Sequence, residues 1–152
     1  MTNESARTRA SLHAKLTRLG YTINMEDILT PAMAMVVLIK NHQLRPHLLV
    51  NKNVIEDFSG VETENPNCVV LGDAVEEFNY ATLNTAFQVE TSQGLNSSNN
   101  GKCIKVLLKS SSMQLFSLGK GKFYKEDSGL NLDVGPFTAA LEFASDKKAV
   151  VG

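Results

Sequence analysis

Three short stretches carry residue types that could do chemistry. Thr2-Asn3 sets a hydroxyl and an amide side chain beside the backbone N–H groups of an expected helix start. The positive end of a helix favours a phosphate there. The plainer reading is a helix cap, a role that Thr and Asn commonly fill. Asp133-Val134-Gly135-Pro136 reads as a loop turning into a helix, with outward-facing backbone donors at the Gly-Pro start. Asp133 and Gly135 are therefore candidate specificity residues, set against an ordinary loop-to-helix junction. Gly119-Lys120-Gly121-Lys122 lacks the GxxxxGK[ST] spacing of a phosphate-cradling loop, and Phe123 stands where Ser or Thr would be needed. It reads as a tight strand corner with solvated lysines.

The remaining chemistry-bearing residues do not converge. His13, His42 and His47 share no metal-ligand spacing and fall on different predicted elements. Glu76-Glu77 are adjacent, so on a helix they point apart, and Glu126-Asp127 sits naturally in a turn. Cys68 and Cys103 are far apart with no CxxC spacing, which argues against a disulfide framework or a zinc site. No catalytic residue and no metal ligand is assigned from spacing.

The elements that must hold these residues alternate between α and β. Thr2 or Asn3 is expected to cap a helix over Glu4–Leu19, with Leu12, Leu16 and Leu19 on one face and Gly20 as the stop. Thr30-Pro31 opens a second helix toward His42. His47–Val50 and Cys68–Leu71 read as short apolar strands, with a short helix near Val54–Phe58 between them. A helix covers Tyr80–Val89. The chain from Phe116 then gives a strand, a corner and a hairpin turning at Asp127-Ser128-Gly129, with Leu130 and Leu132 alternating as in a half-buried strand. Pro136 is expected at the first position of a helix running to Ala144, and Ala149–Val151 closes as a strand. The pattern predicts an α/β layered sandwich, a parallel or mixed sheet covered by helices, plus a β-hairpin. Thr91–Lys105 is polar, Gly- and Asn-rich and without period, and is expected to form a flexible insertion.

Bulk properties narrow the function classes. A chain of 152 residues is one domain by length. Its net charge of −1 gives no electrostatic case for nucleic acid or an anionic membrane. The longest apolar run, Ala32–Ile39, is too short to span a bilayer. These features lead to the expectation of a cytoplasmic or nuclear protein with neither a membrane nor a nucleic-acid partner.

The segment FSLGKGKFYKEDSGLNLDVGP (116–136) closely resembles the cap of the phospholysine phosphohistidine inorganic pyrophosphate phosphatases, a family of the haloacid dehalogenase superfamily. Asn65–Val70 and Tyr80–Phe87 are similar to further cap segments, Thr2–Ser5 to the second signature motif, and Val150-Val151-Gly152 to the residues before the phosphate-binding lysine. Against that family, Thr91–Lys105 stands as about fifteen extra residues, with Val106-Leu107-Leu108 resuming the family pattern. The resemblance implies a large α/β cap over 1–152 without the nucleophilic Asp, the phosphate-binding Lys or the metal-binding Asp residues. It implies that Thr2 and Asn3 bind phosphate and that Asp133 and Gly135 belong to a specificity loop. It further implies Mg²⁺ in the parent enzyme. Substrates would be inorganic pyrophosphate and phosphohistidine or phospholysine, carried by a small molecule or a phosphoprotein. The alternative is a catalytically inactive cap module that serves binding or homodimerisation.

Overall fold

The structure, a computed structural model, describes residues 2, 4–92 and 114–152. Its strands are β1 (Pro46–Leu49), β2 (Cys68–Leu71), β3 (Gln114–Ser117), β4 (Phe123–Glu126), β5 (Gly129–Leu132) and β6 (Val150–Val151). Four of them form a parallel sheet in the order β1-β2-β3-β6, with Cys68 opposite Pro46 and Gln114 and Phe116 opposite Val150. The other two form a separate antiparallel hairpin, β4-β5, turning where the sequence placed it.

The helices are α1 (Arg9–Arg18), α2 (Pro31–Asn41), α3 (Tyr80–Ser92) and α4 (Val134–Ser145), with short 3₁₀ turns at Met25–Asp27, Lys52–Phe58 and Val75–Glu77. Helix α2 begins where Thr-Pro predicts, because the Thr30 hydroxyl accepts a bond from Met33 N–H at 3.2 Å while Pro31 fills the first position. Successive strand residues point to opposite faces, so β2 feeds two cores. Cys68 and Val70, with Phe116 of β3, pack against Ala32 and Ile39 of α2 and Phe58 of the second 3₁₀ turn. On the other face Val69, Leu71 and Leu115 meet Ala86 of α3 and Val134 and Leu141 of α4. Each large apolar side chain so removed from water contributes about 1.5–3 kcal/mol. This is the helix-covered parallel sheet that the alternating pattern predicts.

Several expectations are corrected. The first helix starts at Arg9, not Glu4: Thr8 is its cap, its hydroxyl taking Ser11 N–H at 3.1 Å, and Asp57 takes Arg9 N–H. Glu4 instead folds back to accept from Ala6 N–H, which leaves Glu4–Arg7 outside the helix. Of its predicted apolar face Leu12 is buried, whereas Leu19 is 61% exposed. Helix α4 starts two residues before Pro136, because Asp133 caps Val134 N–H at 2.7 Å, and proline is tolerated anywhere in a first turn. Leu130 and Leu132 are not half-buried but 67% and 63% exposed. The hairpin turns its Tyr124–Asn131 face inward instead. Asn3, Cys103 and Val106-Leu107-Leu108 lie outside the described residues, as does most of Thr91–Lys105. Thr91 and Ser92 close α3 rather than opening a loop.

Candidate functional site at the carboxyl ends of the sheet

In open parallel sheets, ligands bind outside the carboxyl ends of the strands. Here β1 runs on into Asn51 and β2 into Gly72-Asp73, and the hairpin closes over them. A cavity of about 630 Å³ lies between, lined by Glu4, Asn51, Asp73, Tyr124, Glu126 and Phe137 among others. Its aromatic wall is rigid, since Phe78 and Phe137 stack with ring centroids 3.8 Å apart. Loops after β1 and β2 are tied together by Lys52 and Glu77 at 2.7 Å, a bond that raises the Lys52 pKa.

The cavity is acidic at its base. Burial pushes the Asp73 carboxyl above the usual range, and the nearby carboxylates of Asp133, Glu4 and Glu126 push it the same way. Tyr124 is raised by burial and by the carboxylates of Asp73, Glu126 and Asp133. Val75, on the rim, has φ +46°, a left-handed conformation that β-branched residues rarely adopt.

The proposed specificity residues have clear structural work. Asp133 caps α4, and its own N–H donates to Lys122 O at 3.2 Å. Gly135 N–H donates to Gly121 O at 2.9 Å, so this donor is engaged by the chain rather than turned outward. A Cβ on Gly135 would overlap the Gly121 carbonyl, and one on Gly121 would overlap the Asp133 carboxylate. The Gly119–Lys122 corner is thus seated on the start of α4, which is why glycine is required at both positions. Thr2 N–H bonds Leu29 O, and its hydroxyl accepts from Glu4 N–H at 3.2 Å. Thr2 is two residues from Glu4 of the cavity but does not line it. His47 stands half-buried on edge strand β1, with burial lowering its pKa, and His13 Nε2 is 2.9 Å from Ile23 O. Neither lines the cavity.

Sequence reasoning missed Asn51, Asp73, Tyr124 and Glu126. Asp73 was legible in principle, since Gly72-Asp73 ends an apolar strand and strand ends are where parallel sheets bind. Tyr124 and Glu126 carried no comparable signal. Among the described residues no group of three or more His, Cys, Asp or Glu could hold a metal ion. Nor, among them, is any helix long and apolar enough to cross a membrane.

Comparison with known proteins defines the class. Residues 1–64 match the model of the haloacid dehalogenase-like hydrolases. Along nearly all its length the chain is similar to individual curated proteins. It is 43% identical over 150 residues to the phospholysine phosphohistidine inorganic pyrophosphate phosphatase of Danio rerio, covering 99% of this chain and 49% of that protein. With the protein of the same name from Bos taurus the identity is 44% at the same coverage. The chain spans about half the length of the curated relatives it matches. Among solved structures, the glycerol phosphate phosphatase of Mycobacterium tuberculosis in complex with calcium superposes with a TM-score of 0.74. Its identity is 18%, with 99% of this chain and 42% of that one covered, a likeness of fold.

Proposed function

We propose that this chain is the substrate-selecting, cap-like α/β domain of a haloacid dehalogenase-type phosphatase. Its substrates are inorganic pyrophosphate and the phosphoamide bonds of phosphohistidine or phospholysine. The observation that carries this reading is the cavity at the carboxyl ends of β1 and β2, closed by the hairpin that bears the family-like segment. Asp133 holds α4 and the Gly119–Lys122 corner in register against that cavity. Thr2 and Asn3 are proposed to bind the phosphoryl group, as a hydroxyl and an amide can, while Asp133 and Gly135 shape the specificity loop. Closing such a cavity over a substrate excludes water and strengthens every polar contact inside it. Magnesium is proposed for the whole enzyme, and cytoplasm or nucleus as its place.

The test is phosphate release from pyrophosphate and p-nitrophenyl phosphate by this chain with Mg²⁺, alongside an NMR titration with pyrophosphate. The expected result is no turnover, with saturable amide shifts at Asp73 and Gly135. Magnesium-dependent turnover lost in Thr2→Ala and Asn3→Ala would overturn the cap reading; absence of shifts near the cavity would remove its selecting role. A second reading, an inactive module for binding or homodimerisation, is favoured by one observation. Phe123, Leu130 and Leu132 share one face of the hairpin and all three are largely exposed. Sedimentation equilibrium decides it, with a concentration-dependent dimer weakened by Leu130→Glu as the supporting outcome.

A further inference from the structure

Helix α3 carries one side chain that its position does not explain. Leu83, Ala86, Phe87 and Glu90 fall at helical spacing on a single stripe, and the first three pack into the core shared with α4. Glu90 lies on the same stripe and is fully buried. Among the described residues neither of its carboxylate oxygens has a hydrogen-bond partner. Ser145 of α4 is its nearest hydroxyl neighbour, but that hydroxyl donates to Leu141 O at 2.7 Å. Lys147, in the connection from α4 to β6, is the charged group that faces it. Yet its ammonium is bonded at 3.0 Å to the backbone carbonyl of Glu90 and not to the carboxylate. The sheet side of this core offers Val69, Leu71 and Leu115, none of which titrates.

An ionised carboxylate without partners in such surroundings is unstable; the group either keeps its proton or leaves. Burial raises the affinity of Glu90 for its proton, and Lys147 and the nearby Ser145 hydroxyl oppose that only partly. We propose that Glu90 is a proton-dependent latch: its neutral carboxyl lets the last turn of α3 close on α4, and loss of the proton drives that turn toward solvent. The sign follows from linkage. A group that binds its proton more tightly in the closed state stabilises that state at low pH, and the stability is lost as pH rises through the closed-state titration. Between the ordinary glutamate titration and the closed-state one the open population grows by up to about tenfold per pH unit, and above the closed-state value it levels off. At the cavity end Phe137 of α4 stacks instead on Phe78, which precedes α3.

The experiment is a pH series on the intact chain that follows the Glu90 side-chain carbonyl by ¹³C NMR. Amide exchange at Gln88–Thr91, corrected for its intrinsic pH dependence, is measured in the same samples. The expected result is a titration above that of an ordinary glutamate, with protection at Gln88–Thr91 falling as pH rises toward it. In Glu90→Gln that fall disappears while protection elsewhere is kept. Titration of the wild-type carboxyl in the ordinary range overturns the proposal, as does protection that ignores its titration. The wild-type measurement stands even if the variant folds poorly.

Discussion

Val75 shows what a single residue can store. Its φ of +46° places a β-branched side chain in the left-handed region, on the cavity rim directly after Asp73 and Ala74. Such a conformation costs roughly 1–2 kcal/mol for a residue with a Cβ. Val75→Gly is expected to raise stability by about 0.5–1 kcal/mol, part of the relief being offset by the freedom glycine gains in the unfolded chain. Urea denaturation checks it, and a destabilised variant would show that Val75 packing outweighs its strain. Gly135 is the opposite case. Gly135→Ala drives a methyl into the Gly121 carbonyl and is expected to cost about 2 kcal/mol or more by the same measurement. Asp73 adds a pH dependence. Its folded pKa is raised, so its favourable contribution is present below the unfolded value and fades as pH rises. Asp73→Asn should therefore flatten the loss of stability as pH rises above about 4, read from urea midpoints across a pH series. Of these three positions the sequence exposed Gly135 as unusual, but not why, since the overlap involves a carbonyl fourteen residues earlier.

At the scale of elements, caps and turns were legible and orientations were not. Thr30-Pro31, the hairpin turn and the Cys68–Leu71 strand stand where local chemistry placed them. The start of α1 moved because Thr8 and Asp57 satisfy its first N–H groups, and Asp57 is a partner 48 residues away. The hairpin failed differently. Alternation along β5 says that Leu130 and Leu132 share a face, but not whether that face turns inward. The structure turns the half-buried Tyr124–Asn131 side over the cavity, whose acids and amides suit it, while Leu130 points away and Leu132 stays largely exposed at the cavity edge. The cap of α4 offers a direct test at this scale. Asp133→Ala removes the acceptor of Val134 N–H and should cost about 1 kcal/mol. It should also loosen the Gly119–Lys122 corner, seen as faster exchange of the Gly135 amide, whereas Asp133→Asn keeps most of both.

For the whole molecule, the binding point is that both cores share their strands. Along β2, Cys68 and Val70 face α2 while Val69 and Leu71 face α3 and α4, all four wholly buried. Neither helical layer can leave without exposing a strand whose other face still holds the opposite layer. That coupling predicts a single cooperative transition. Ile39→Ala on one side and Leu141→Ala on the other should each cost about 2–5 kcal/mol. Because the strands are common property, each variant should lower the midpoint seen by probes on both faces. Methyl NMR signals of Val36 and Leu83, followed through thermal unfolding with far-ultraviolet circular dichroism, report the two layers and the backbone separately. Coincident midpoints in the wild type and in both variants are expected. Separate midpoints for Val36 and Leu83 would mean that the sheet yields between its faces, and that the cavity at its carboxyl ends can open without global unfolding.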